Sequence, residues 1–427
     1  MVQLKDDCFA FHGNLINLED ALNRLEQIVS NVVKAETLPL RLAQGRFLAE
    51  TLISEINVPP HNNSAVDGFA VFFNDLNPNS ETRLPITGRI TAGHPLGRLA
   101  KPGEALRIFT GAQMPEGIKE DPDTIFMEED CFLDQKLKDE IVVLPPGIKL
   151  GANRRIVGED VRMGDTVINL GQRLRPQEIG MAASIGKNKL KVYKSLRVAV
   201  FSTGDEVRDP NDEALPGSIF DANRYSIVAL LEELGCVVSD LGILKDEKNV
   251  IVEALSKAAS GHDLIVTSGG VSSGEEDHVK EAINTLGKIH FWRLAIKPGR
   301  PIALGQVGNV AFLGLPGNPV AAMVTFMVIG RKLVLLLSGA TETRAQYFLV
   351  ETDFDYKKKQ GRREWARVRL KTSDGGFPVA EKHVSSGAGI LTSMVEADGL
   401  IELDENMDSV RKGTMVRFLP FNEVTGR

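Results

Sequence analysis

The stretch Asp263-Leu264-Ile265-Val266-Thr267-Ser268-Gly269-Gly270-Val271-Ser272-Ser273-Gly274-Glu275-Glu276-Asp277 passes from a short apolar block into a loop of glycines, hydroxyls and carboxylates. The apolar block reads as a buried strand, and the loop as its C-terminal end. The pattern recurs outward from it. Residues 196–201 form a second apolar run, ending in Ser202-Thr203-Gly204-Asp205-Glu206, and residues 222–234 behind it have helical spacing. Residues 236–238 read as a short strand and 246–259 as a helix. A further helix follows the Gly-Gly loop, then come runs at 291–296 and 310–313 and a helix after Pro319. Strand and helix alternating in this way predict a doubly wound, mostly parallel sheet covered on both faces, an α/β domain over residues 191–338.

In such a sheet ligands bind beyond the C-terminal strand ends. A third end, Ala295-Ile296-Lys297-Pro298-Gly299-Arg300-Pro301, adds cations. Glycines let backbone N–H groups approach an anion closely, and Lys297, Arg300 and Arg293 bring positive charge. Glu275, Glu276 and Asp277 offer hard oxygen ligands, so the set points to Mg²⁺-assisted chemistry at a phosphate. One isolated Gly-Gly loop is better read as a structural turn; three such loops at adjacent strand ends reverse that preference. The loop is neither a Walker A sequence nor Gly-x-Gly-x-x-Gly, so ordinary ATPase and dinucleotide readings lack their fingerprint.

Outside this domain, Leu18, Leu22, Leu25, Ile28, Val29 and Val32 step along one face of a predicted helix over residues 18–33, with Asn17 as N-cap. Recurrent Pro and Gly between short apolar runs predict a small β unit over residues 57–153. Residues 154–190 read as a link with a short helix near 176–185, and 339–427 return to β character. The chain has 427 residues, enough for two to four domains, with 43% hydrophobic and 25% charged residues. Fifty Lys+Arg against fifty-seven Asp+Glu give a net charge of -7, which argues against nucleic acid as a partner. Cys8, Cys131 and Cys236 lie far apart and form no metal or disulfide pattern, so a reducing cytoplasm is expected. The histidines show no metal spacing; His278 is read with the others as a surface or packing residue. Residues 320–337 are very apolar, but Arg331 and Lys332 interrupt them, so a buried core helix is expected rather than a membrane span.

Several segments carry a more specific signal when taken in order: Asn63-Ser64-Ala65 with Asp67-Gly68, Arg107 through Gly117, Gly158-Glu159-Asp160, Ser202 through Glu206, Thr267 through Asp277, Lys297-Pro298-Gly299, and Gly314-Leu315-Pro316-Gly317-Asn318-Pro319. The chain resembles the MoeA-type molybdopterin molybdenumtransferases, the family that includes the E domain of gephyrin. The resemblance runs over nearly the whole chain. The Ser-Gly-Gly-Val-Ser and Pro-Gly-Asn-Pro segments also occur in relatives that share only the sheet domain, so the flanking segments carry the distinction.

The resemblance implies a fold of four domains. An elongated N-terminal domain would comprise residues 14–56 and 154–190, with the small β domain at 57–153 inserted into it. A MoaB/Mog-like sheet domain would span 191–338, and a C-terminal β-barrel-like domain 339–427. It also implies a reaction: adenylylated molybdopterin and molybdate bind, the adenylate is cleaved with Mg²⁺, AMP leaves and molybdenum enters the dithiolene. A homodimer is implied, its cleft shared between the sheet domain of one subunit and the small β domain of the other. Candidate protein partners are the molybdopterin adenylyltransferase and apo-molybdoenzymes.

On this resemblance Asp67, Thr110, Asp160, Glu206, Asp246 and Asp277 occupy catalytic positions, with Asp246 and Asp277 as Mg²⁺ ligands. Asp67 and Thr110 reach in from the partner subunit. Ser268, Gly269, Gly270, Ser272, Arg293, Lys297, Arg300 and Arg367 are the substrate-binding candidates, since anionic molybdate and phosphates need cations and N–H donors. The chain departs from the family pattern at Asn62 (usually Asp), Phe69 (usually Tyr), Arg293 and Arg300 (commonly Lys) and Ala388 (Ser in some members). Two rival readings are a peptide-binding scaffold of gephyrin type and another nucleotide-cleaving enzyme on the same sheet domain. The residues do not distinguish molybdate from tungstate.

Overall fold

The computed structural model describes residues 4–5, 7–10, 15–134, 140–269, 278–373 and 375–425. The chain divides into two compact units. One comprises Thr51–Asn169 and Pro176–Asn188; the other holds the residues up to Glu50, Leu170–Arg175 and the chain from Lys189 onward.

The larger unit begins with helix α1 (Leu18–Ile28), capped by Asn17, whose side chain accepts from the Asp20 N–H. The helix stops five residues short of the spacing-based expectation, because Val29 is already extended (φ -96°, ψ 127°). Ser30 and Asn31 follow it, and Asn31 Oδ1 accepts from the Val33 N–H at 2.8 Å, a local turn that competes with continued helix. The α/β part follows as β1 (Arg197–Thr203), α2 (Ala222–Glu233), β2 (Val237–Leu244), α3 (Lys248–Gly261), β3 (Leu264–Ser268), α4 (His278–Leu286) and β4 (Gly287–Arg293). After them come β5 (Ile296–Lys297), β6 (Pro301–Val307), β7 (Val310–Leu315) and α5 (Pro319–Thr325). The sheet order is β2-β1-β3-β7-β6-β4, with β2, β1, β3 and β7 parallel and β6 antiparallel to its neighbours β7 and β4. The mostly parallel, doubly covered sheet is therefore present. Alternation along β1 shows how both faces are buried. Val198 and Val200 join a core with Leu25 of α1, Ile227 of α2 and Val320 of α5, whereas Ala199 and Phe201 join one with Ile251 of α3 and Ile283 of α4.

The apolar stretch after Pro319 continues through residues 326–337, and its side chains are almost all buried. Length and hydropathy alone would let it cross a membrane, but here it is a core helix.

The C-terminal strands are β8 (Phe348–Thr352), β9 (Arg363–Thr372), β10 (Pro378–Lys382), β11 (Gly399–Leu403) and β12 (Met415–Pro420). They run in the order β9-β10-β8-β12-β11, and a β9–β11 pairing closes them into a barrel. Strand β5 adds to β9 with Lys297 beside Glu364, which ties the Lys297 loop to the barrel.

The smaller unit is built on a six-stranded sheet in the order Thr124–Met127, Gly68–Val71, Ala105–Ile108, Thr82–Ile90, Ile141–Leu144, Phe132–Asp134. Gly68 lies in this sheet because a Cβ there would stand 1.7 Å from the Phe126 carbonyl oxygen. Phe69, in the position where the family usually carries Tyr, is fully buried in its core.

Candidate active site

Two cavities open at the C-terminal edge of the α/β sheet. The larger, about 560 Å³, lies between the strand-end loops and the barrel. Lys297, Arg300, Arg367 and Lys382 bring cations to its wall, against the carboxylates of Glu206 and Glu364. The second, about 360 Å³, is lined by Ser202, Thr203, Glu206, Asn223, Asp246, Ser268 and His278 among others. Glu206, Gly269 and Gly317 line both, so the two form one continuous cleft.

The cationic cavity is organised by adjacent strands. Lys297 donates to Glu364 Oε2 (3.1 Å) and Tyr356 Oη (3.3 Å), and Tyr356 donates to the same carboxylate (3.0 Å). Arg362 Nε reaches the other oxygen at 2.9 Å. Burial pushes the Glu364 carboxyl upward, but these hydrogen bonds outweigh it and hold the group below its usual range. Arg367 on β9 is buried, and among the described residues its guanidinium donates only to neutral oxygens: Ser393 Oγ (3.0 Å), Ser385 O (3.1 Å) and Gly387 O (3.2 Å). Burial without a counter-charge lowers its proton affinity, and its charge remains available to an anion. Gly299 has φ +91°, and a Cβ there would stand 2.1 Å from Thr325 Oγ1, so only glycine lets the Lys297 loop lie on α5. Ala388, where some relatives carry Ser, also lines this cavity, and its carbonyl accepts from the Val320 N–H.

In the second cavity Ser268 is fixed between an Asn223 Nδ2 donor (2.8 Å) and the Pro316 carbonyl (3.1 Å). Asn223, in the first turn of α2, also donates to Gly317 O at 2.7 Å, so one amide joins two strand-end loops to that helix. Gly269 has φ +84°, a left-handed turn that brings backbone to the cleft. The buried hydroxyls of Ser202, Thr203 and Thr267 have no hydrogen-bond partner among the described residues. Asp246 and Glu206 are exposed carboxylates on this one cavity. No group of three His, Cys, Asp or Glu is placed to hold a metal ion by itself among the described residues. A Mg²⁺ ion typically takes one or two carboxylates and completes its shell with substrate phosphate and water, so these two carboxylates fit it. Gly270, Ser272 and Asp277 lie outside the described residues.

Arg300 is exposed at the cavity rim, whereas Arg293, at the end of β4, is exposed and not among the lining residues. In the smaller unit Asp67 Oδ1 accepts from both Thr110 Oγ1 (2.6 Å) and Thr110 N (2.8 Å). The hydroxyl contact first, then the backbone one, holds the Asp67 carboxyl below its usual value. Asn62 uses its Oδ1 to accept from Val157 N at 2.9 Å. Asp160 is exposed, its backbone N–H bonded to Val58 O.

Tyr356, Glu364, Lys382, Asn223 and His278 line the cleft without having been singled out by sequence. For His278 the signal was adjacency to Asp277. Lys382 had none, since a lysine at the end of an amphipathic strand looks like any solvated charge.

Three stretches of the chain match family models: residues 16–186 the MoeA N-terminal region (domain I and II), 199–335 the probable molybdopterin binding domain, and 350–421 the MoeA C-terminal region (domain IV). A molybdopterin molybdenumtransferase of Haemophilus influenzae is 35% identical over 413 residues, covering 96% of this chain and 100% of the relative. One from Nostoc sp. is 33% identical over 396 residues, 90% of this chain and 89% of the relative. The crystal structure of the molybdopterin biosynthesis moeA protein from Pyrococcus horikoshii OT3 superposes with a TM-score of 0.79 at 25% identity, covering 95% of this chain and 100% of that one. With relatives this similar over their full length, the chain belongs to the MoeA family of molybdopterin molybdenumtransferases.

Proposed function

We propose that this protein inserts molybdate into adenylylated molybdopterin, with Mg²⁺-dependent cleavage of the adenylate and release of AMP. The observation that carries the reading is the continuous cleft: a cation-rich cavity joined, through Glu206, Gly269 and Gly317, to one bearing the Asp246 and Glu206 carboxylates. A long substrate with an adenylate at one end and a dithiolene at the other needs two such chemistries side by side.

In this reading Lys297 and Arg367 hold the oxyanion, with Arg300 at the rim and Arg293 flanking the entrance. Ser268, held by Asn223, and the Gly269 backbone meet the phosphates, with Gly270 and Ser272 continuing that loop. Asp246 and Asp277 hold Mg²⁺, and Glu206 orients a ligand or water beside them. When bound, Mg²⁺ supplies a Lewis acid that draws charge from the phosphate oxygens. The protein acts as a cytoplasmic homodimer in which Asp67, held by Thr110, is contributed by the partner subunit, with Asp160 as a further catalytic carboxylate. The substrate arrives from an adenylyltransferase, and the product leaves to apo-molybdoenzymes.

The test is AMP release from adenylylated molybdopterin with and without molybdate and Mg²⁺. Wild type should release AMP only when both are present, and Asp246→Ala should lose on the order of a hundredfold or more in rate. Release that ignores molybdate, or none from folded wild type, overturns the reading.

A further inference from the structure

We propose that Lys382 is a specificity-determining residue of the cationic cavity, its ammonium contacting the tetrahedral oxyanion directly. The proposal rests on the reading of this cleft given above and adds a residue to it. Lys382 ends β10, opposite Val368 on β9, so Lys297, Arg367 and Lys382 stand on three neighbouring strands, β5, β9 and β10. Its ammonium is half-buried and lies 5.5 Å from the centre of the Tyr356 ring, the same ring that Lys297 faces at 6.0 Å.

The three cations differ in what already occupies them. Lys297 is paired with the buried Glu364. Arg367 uses Nε and Nη2 on Ser393, Ser385 and Gly387. Lys382 donates to a single neutral acceptor, the His383 carbonyl at 2.9 Å, and no carboxylate among the described residues pairs with it. An ammonium has three donors, so two remain to be offered. Burial first, then the charges of Arg367 and Lys297, lowers its proton affinity.

Four cations on the cavity wall, Lys297, Arg300, Arg367 and Lys382, against the two carboxylates of Glu206 and Glu364 leave a surplus of two positive charges in a concave site. A tetrahedral dianion neutralises that surplus, whereas a monoanion leaves it half satisfied. Lys382 therefore sets the preference for a doubly charged oxyanion. As a compact point charge it meets an oxygen at any orientation, which a planar guanidinium does not.

The experiment is calorimetric titration of the full-length protein with molybdate alone, for wild type, Lys382→Met and Lys382→Arg, each verified as folded by its denaturation midpoint. Lys382→Met should weaken molybdate binding by about tenfold or more, and Lys382→Arg should retain most of it. In steady-state AMP release the methionine variant should raise KM for molybdate while leaving the rate at saturating molybdate nearly unchanged, the signature of a lost binding contact. A folded Lys382→Met that binds molybdate within about twofold of wild type overturns the assignment of Lys382 alone. A wild type that binds no molybdate overturns the oxyanion reading of the cavity, and the assignment with it.

Discussion

Arg224 is buried among three carboxylates, and replacing it isolates what holds the Glu206 loop in place. It lies on α2, and its guanidinium meets three aspartates: Asp221 at 2.9 Å, Asp209 and Asp240. Burial works against its charge, but these contacts outweigh that and raise its proton affinity above the usual arginine value. Asp209 belongs to the loop that carries Glu206, and Asp240 to the strand leading to Asp246, so one side chain anchors the supports of both carboxylates. Arg224→Met keeps the apolar stem and the backbone N–H that Asp221 caps, and removes only the charge. Asp221 is 3% exposed, so its carboxylate is left buried and unpaired, which costs about 3–5 kcal/mol. Asp209 and Asp240 are 26% and 40% exposed and regain water, so each adds only ~0–1 kcal/mol.

A loss of roughly 4 kcal/mol is expected in urea denaturation of the full chain, followed by the fluorescence of the buried Trp292 and Trp365. Adding Asp221→Asn removes the stranded charge and should return about 1–3 kcal/mol. Hydrogen exchange across residues 205–221 should accelerate in Arg224→Met. A loss below about 1 kcal/mol, or no recovery in the double variant, would refute the reasoning.

Further expectations are narrower. Gly299→Ala places a Cβ 2.1 Å from Thr325 Oγ1 at a left-handed φ, so it should cost ~1–3 kcal/mol and weaken molybdate binding, with partial recovery of stability on adding Thr325→Ala. Thr110→Val removes the main cause of the lowered Asp67 pKa, so the carboxyl should titrate closer to 3.8 by carbon NMR. The sign follows: the Asp67–Thr110 contact is complete above pH 3.8 and is lost as pH falls through the lower folded value, and the turn in Thr110→Val, which keeps only the backbone N–H contact, should be less sensitive to that range. If the cleft is shared in a homodimer, inactive Asp67→Ala and inactive Asp246→Ala subunits should regain about a quarter of wild-type AMP release when unfolded and reassembled together, and none if the cleft is built by one chain.

The α/β sheet was legible because its signals are local. Apolar runs at residues 196–201 and 264–266 alternate with helical spacing, and burial on both faces requires such runs whatever lies around them. The loops at Ser202–Glu206, Ser268–Gly269 and Lys297–Gly299 were legible for the same reason, since glycine and charge at a strand end mark a ligand edge. The end of α1 was not: apolar spacing continues to Val32, but the helix stops at Ile28, where Ser30 and Asn31 intervene and the Asn31 side chain bonds the Val33 N–H instead.

Closure of the C-terminal strands into a barrel was expected from the family resemblance alone, because β9 pairs with β11 across a long separation that no local pattern encodes. The same separation decides the site. Sequence by itself determined which strand ends would be chemically rich and that cations and carboxylates would both be present. Only the tertiary structure decided that Lys382, far along the chain from Lys297, faces the same Tyr356 ring, and that Arg367 is buried against neutral oxygens. Electrostatics acts through space, and the fold sets those distances by packing elements whose sequence separation carries no information about them.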